Sequence, residues 1–146
     1  MIKLIKISII TFLILGFLNT SYSKENFFDE GLRLFQEKKY EDAKFLLERS
    51  IVFNPKHAKS YLYLAKIYKE EKDQKNEEKN LEATLLIDPS NEDAILMLME
   101  IGIEKTNYSK VKELSERFTK VCKKLCNENK KILKDLKNLE PKNNES

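Results

Sequence analysis

Two cysteines, one histidine and many carboxylates are the residues that could do chemistry in this chain of 146 residues. Cys122 and Cys126 stand at i and i+4. On one straight helix that spacing holds the Cβ atoms ~5–6 Å apart, whereas a disulfide wants ~3.8 Å. Three states are open: buried unbridged thiols, a local disulfide, or a metal or redox role. The bridge requires the helix to unwind near Leu125, which the stretch CNEN at 126–129 allows. The redox spacing C-x-x-C is absent. His57 is the single histidine and follows Pro55 in a turn. It has no second His or nearby Cys to complete a metal site, and is expected to be a solvated side chain. The paired acids Glu41-Asp42, Glu70-Glu71 and Glu77-Glu78 are adjacent on helices, so they point in different directions. Paired-acid catalysis needs two carboxyls facing across a cleft. These acids are therefore expected to be solvated helix faces. There is no nucleophile elbow, Walker loop or dinucleotide-binding glycine pattern. Asn107-Tyr108-Ser109 fits a glycosylation acceptor and is taken as a chance match in an Asn-rich chain. No catalytic residue, cofactor or metal is expected, and the protein is expected not to be an enzyme.

The beginning of the chain has a different character. Lys3 and Lys6 precede the charge-free run Ile7 to Leu18, and Ser21 and Ser23 flank Tyr22. A basic start, a short apolar centre and a small-x-small end describe a secretory signal peptide, residues 1–23. The apolar run is short of the ~20 residues that span a bilayer. The alternative is an uncleaved anchor, since Met1 to Leu18 together nearly span. Export to a periplasmic or extracellular space is expected, with membrane contact only if the segment stays attached. Its removal takes away two lysines and no acids, so the formal charge of +3 falls towards neutrality. Nucleic-acid binding usually shows as a strongly basic patch, and no nucleic-acid partner is expected.

What positions these residues is a set of helices broken at a fixed interval. The apolar stretch ending at Phe53 stops at Asn54-Pro55, and a second stops at Asp88-Pro89. The prolines lie 34 residues apart, the period of a tetratricopeptide helix-turn-helix. Apolar residues at 61, 64, 65 and 68 follow i, i+3, i+4, i+7 spacing, and 43, 46, 47, 50 and 51 follow a similar face. A residue before Pro is pushed out of helical geometry, and Ser90 or Asn91 offers the next N-cap. The spacing predicts helices over 25–37, 41–53, 58–70, 75–87, 92–104, 108–125 and 129–139, with no sheet. The expected core holds Leu34, Ala43, Leu47, Ile51, Leu64, Ala65, Tyr68, Leu81, Leu85, Leu98, Leu114 and Phe118.

In three registers, 24–57, 58–91 and 92–125, the chain resembles the tetratricopeptide repeat (TPR) family. Phe27, Gly31, Tyr40, Ala43 and Pro55 match its pattern in the first register. Tyr61, Leu64, Ala65, Tyr68, Leu81 and Pro89 match in the second, which departs at Gln74 and Glu77, where an aromatic and a small residue are usual. In the third, Ile95, Leu98 and Tyr108 fit, Met99 and Val111 replace small residues, and no Pro closes the unit. The resemblance implies an all-α, α-α superhelical solenoid of about three helix pairs. Residues 126–140 would form a capping helix, with its polar face outward, and residues 141–146 a disordered tail.

The resemblance also implies a concave face built from the first helix of each pair. It would carry Phe28, Leu32, Phe35, Leu62, Tyr63, Lys66, Leu96 and Met97 as a groove for a protein or peptide partner. In the TPR subclass that grips C-terminal carboxylates, Lys, Asn and Arg line the groove. The matching places here hold Phe28, Leu32, Tyr63, Asp93 and Met97, so that activity does not carry over. The expected function is an exported protein–protein interaction module, an adapter or scaffold in a cell-envelope complex. A membrane-anchored domain acting through self-assembly into a homo-oligomer or through a membrane partner is the alternative, and a thiol-based role the third. Groove coverage by the terminal helix or a second copy would remove the open surface.

Overall fold

The 34-residue interval is set in the backbone as well as in the prolines. The computed structural model describes residues 26–139. Among them run seven helices and no strand: α1 Asn26–Gln36, α2 Tyr40–Phe53, α3 Ala58–Glu70, α4 Gln74–Ile87, α5 Glu92–Glu104, α6 Tyr108–Val121 and α7 Cys126–Leu139. The expected leader at 1–23 and tail at 141–146 lie outside the described residues. No described helix is long and apolar enough to cross a membrane.

Within each pair the first helix ends the same way. Lys38, Lys72 and Thr106, spaced by that same period, take left-handed φ of 61°, 60° and 53°. Around each, two backbone bonds close a Schellman turn. Lys39 N donates to Leu34 O, Asp73 N to Tyr68 O and Asn107 N to Gly102 O, each reaching back five residues. The left-handed residue itself donates three residues back, to Phe35, Lys69 and Ile103. The second helix then opens on a side-chain cap in two of three pairs. Asp73 accepts from Asn76 N and Asn107 from Lys110 N, whereas Lys39 offers no side-chain bond.

Between pairs, the turn is equally regular. Asn54 Oδ1 accepts from Lys56 N at 3.3 Å and Asp88 Oδ1 from Ser90 N at 3.2 Å. Asn91 caps α5 through Ala94 N. The third such turn falls at Cys122, which has no side-chain oxygen to offer, and there α6 stops at Val121. The expected helix 108–125 is therefore four residues shorter, and α7 starts at Cys126 rather than 129.

The core forms two clusters that share α3. Leu64 and Ile67 join Leu34, Ala43 and Leu47 on one side. Leu62 and Ala65 join Leu81, Leu85, α5, Val111, Leu114, Phe118 and Leu136 on the other. Helix α3 is thus a wedge between units. Ten of the twelve expected core residues are buried, while Ile51 and Tyr68 are half-buried against the first cluster. Helix α5 buries nearly its whole circumference, Ala94 through Met99, Ile101 and Gly102, because α4, α6 and α7 all pack on it.

The third pair solves a packing problem that its sequence poses. Val111 stands in register with Ala43, and a larger side chain there needs room. Gly102 supplies it: a Cβ at that position would come within 2.7 Å of Val111 Cγ2. Three outcomes are expected in urea unfolding. Gly102→Ala should destabilise by roughly 1–3 kcal/mol through overpacking against a β-branched neighbour, outweighing the ~1 kcal/mol helix-propensity gain. Combining it with Val111→Ala should be strongly non-additive. Thr106→Gly should stabilise by roughly 0.5–1 kcal/mol, since glycine relieves the left-handed strain on a β-branched residue.

Candidate partner-binding face

The first helices of the three pairs, α1, α3 and α5, carry the expected groove, and the structure divides it in two. In the N-terminal half the side chains stay half-buried: Phe28, Leu32 and Phe35 on α1, Tyr63 and Lys66 on α3. They form an aromatic cluster. The Tyr63 ring meets Phe28 at 5.9 Å and Phe35 at 5.2 Å, both edge to face. Such geometry contributes beyond area alone, by about 0.5–1.5 kcal/mol per pair. Lys66 Nζ lies 5.2 Å over the Tyr63 ring and donates to Asp93 Oδ1 at 3.2 Å, which ties α3 to α5.

The C-terminal half is closed. Leu62, Leu96 and Met97 are 5%, 8% and 8% exposed and belong to the core. Their helical phase does not leave them on an open surface as expected. Leu62 lies between units, and α7 packs on α5 and α6 so that Leu136 completes the same cluster.

Two cavities flank the face, and each contains a residue that sequence reasoning took as solvated. One of about 570 Å³ is lined by Phe28, Asp29, Ser50, Phe53, Asn54, His57 and Lys59. His57 is half-buried rather than free in its turn. Its ring meets Phe28 at 4.6 Å, and Nδ1 lies 2.8 Å from Ser60 Oγ, which donates to the buried Ser50 Oγ at 2.8 Å. Burial, reinforced by Lys59, holds its pKa below the ordinary value. The signal was Ser50 and Ser60, polar residues at apolar phase.

The second cavity, about 270 Å³, lies where α3, α4 and α5 meet. Glu77 is only 6% exposed there, a correction to the solvated helix face expected of it. It stands in register with Ala43 and Val111. Its partner in sequence, Glu78, is half-buried and paired with Lys105 and Lys110. The small-residue pattern had marked Glu77 as a departure without indicating that it would be buried. Glu41, Asp42, Glu70 and Glu71 are exposed as expected.

Cys122 and Cys126 are joined, with Cα atoms 5.4 Å apart. The helix unwinds between them, which resolves the spacing problem. Glu92 completes the turn: its carboxylate accepts from Lys123 N at 2.8 Å, Lys124 N at 3.1 Å and Leu125 N at 2.7 Å. These backbone donors, Leu125 foremost, hold its pKa below the usual carboxylate range. No group of three or more metal-binding side chains occurs among the described residues.

No known family profile and no curated protein matches the sequence. Solved structures do match the fold. The TPR domain of Sgt2 from Aspergillus fumigatus superposes with a TM-score of 0.64 at 18% identity, over 79% of this chain and 77% of that one. The type III secretion chaperone SycD of Yersinia enterocolitica, in complex with a peptide of the translocator YopD, gives 0.71 at 14% identity, over 82% and 97%. The first TPR of Spaghetti (RPAP3), bound to an HSP90 peptide, gives 0.67 at 18% identity, over 80% and 98%. The fold is that of a TPR array. In TPR terms, α1–α2, α3–α4 and α5–α6 are the pairs and α7 is the cap.

The closure of this TPR array makes a testable statement about pH. A carboxylate with a depressed folded-state pKa contributes stability above its unfolded pKa and loses it as pH falls through the folded value. Glu92→Gln should remove this acid-sensitive part, and hydrogen exchange at neutral pH should speed up several-fold at Lys123–Leu125 and along α7. α1 and α2 should keep their wild-type rates.

Proposed function

We propose that this chain is an exported protein–protein interaction module that captures a partner segment on the aromatic N-terminal half of its concave face. Its role is that of an adapter or scaffold in a cell-envelope complex. The observation that carries this reading is the Phe28, Phe35 and Tyr63 cluster, left half-buried beside a cavity while the other half of the face is sealed. Aromatic residues are enriched at protein interfaces, and Tyr63 adds a polar hydroxyl to its apolar ring. Two of the similar solved structures hold peptides, which supports a peptide as the ligand class. Export rests on the basic, apolar and small-residue pattern of residues 1–23. No enzymatic role follows from the carboxylates or the bridged cysteines.

The second reading, a membrane-anchored form, uses the same face and keeps residues 1–23. Terminal sequencing of the protein from its native envelope separates them: a chain beginning at Lys24 supports export and cleavage, and an intact Met1 supports the anchor. For the face itself, Tyr63→Ala and Phe28→Ala should each weaken partner capture about 10–100-fold, the range of interface hot spots near 2 kcal/mol, with helicity preserved. If they merely unfold the monomer or dissociate a homodimer, the face is internal packing and the reading fails.

A further inference from the structure

The turn between α6 and α7 sets two arrangements of the chain against each other. Val111, Leu114, Phe118, Val121 and Leu125 keep a spacing of 3, 4, 3 and 4, the stripe of one unbroken helix. The backbone nevertheless leaves the helix at Cys122, whose ψ is 137°, and α7 begins at Cys126. Breaking there gains no backbone hydrogen bond. Lys123 N, Lys124 N and Leu125 N donate to Glu92; in a continued helix they would donate to the carbonyls of Thr119, Lys120 and Val121. What excludes continuation is the bridge. One turn apart on a helix, Cys122 and Cys126 would have Cβ atoms ~5–6 Å apart, beyond the ~3.8 Å of a disulfide. A bridge between residues only four apart constrains little of the unfolded chain, so its main effect is on this local choice. Helix α7 depends on the outcome, because only Asn129 and Leu136 of its 14 residues are buried.

We propose that the Cys122–Cys126 disulfide is a redox latch: in the bridged state it holds α7 on the third pair, and its reduction by a dithiol lets α6 continue through Leu125 and releases α7. The inference goes beyond partner capture and stands whatever the concave face binds. Both cysteines are half-buried rather than sealed, so a thiolate can reach them. The dithiol's first thiolate attacks Cys122 Sγ and forms a mixed disulfide. The departing sulfur is that of Cys126, the first residue of α7, where the positive end of a helix stabilises an anion. Lys123 and Lys124 in the turn add to that effect, and the Glu92 carboxylate bound there opposes it. The dithiol's second thiolate then expels the Cys122 sulfur and closes its own disulfide. Two electrons and two protons pass to the cysteines, and the dithiol is oxidised. Continuation of α6 moves residues 122–125 from turn to helix and takes their amides from Glu92. Leu136 leaves the cluster around α5, and the Asn129 bonds to Ser115 and Thr119 are lost.

The test follows the backbone amides of the full chain by NMR before and after treatment with dithiothreitol, a dithiol. Reduction should bring helical chemical shifts to residues 122–125. Hydrogen exchange along α7 should become at least ~10-fold faster, the order of the chain-entropy effect of opening so small a loop, while α1–α4 keep their rates. Reoxidation should restore the turn and the protection of α7. The double variant Cys122→Ser, Cys126→Ser should match the reduced chain and ignore the dithiol. Two substitutions at exposed Lys124 separate a latch from a plain staple, because they act on the competing helix. In the reduced chain Lys124→Gly should lower the ratio of continued helix to turn about 5-fold relative to Lys124→Ala, as helix propensity dictates, and should slow exchange in α7 by a similar factor. A reduced chain that keeps the turn and the protection of α7 overturns the proposal. So does one whose α7 loosens without helical gain at 122–125, one that exchanges faster throughout α1–α4, or one in which Lys124→Gly and Lys124→Ala behave alike.

Discussion

Every helix in this protein has to stop on time. A pair of helices of 11 to 14 residues buries too little by itself, so stability comes from neighbours stacked at constant phase. Phase is kept only if each turn consumes the same number of residues and leaves the chain at the same angle. The repeated left-handed residue at Lys38, Lys72 and Thr106 is the means. None of the three is glycine, so each array turn holds a conformation that an L-residue resists, and stacking must supply the difference. A one-residue slip would rotate the next helix by about 100° and expose its buried stripe.

With phase held, the position shared by Ala43, Glu77 and Val111 decides the character of each pair. Ala43 is fully buried and lets α1 and α2 approach with Gly31, whose absent Cβ leaves Leu47 close. Val111 is accommodated by removing a side chain opposite, at Gly102. Glu77 has no such compensation, and the result is a polar cavity instead of tight contact. Three residues at one register position thus give a close crossing, an adjusted crossing and a cavity.

The two ends of the array differ in the same physical terms. At the C-terminal end Leu136 of α7 joins the core formed around α5, and the disulfide with Glu92 fastens the turn that leads into α7. That seals the third pair's share of the concave face. At the N-terminal end Phe28, Phe35 and Tyr63 stay half-buried beside the larger cavity. On the proposed reading, the binding surface is what packing leaves open, and that remainder lies at one end.

Local chemistry was readable from the sequence. The two X-Pro breaks and the i, i+3, i+4 apolar spacing give seven helices, because proline geometry and helical periodicity act within a few residues. A cap at Ser90 or Asn91 and the buried run Leu34, Ala43, Leu47 follow for the same reason, and the structure picks Asn91. Only the tertiary structure decided which apolar residues at surface phase stay open. Leu62, Leu96 and Met97 are indistinguishable from Leu32 and Phe35 by spacing, and differ only because they pack into the cluster around α5 that Leu136 of α7 joins. The bridging of Cys122 to Cys126 depended on α6 stopping at Val121, where a carboxylate thirty residues earlier in the chain, Glu92, takes up the freed amides. The burial of Glu77 and His57 likewise comes from helices that approach from elsewhere in the chain. Burial is a property of neighbours distant in sequence, and no local pattern encodes them.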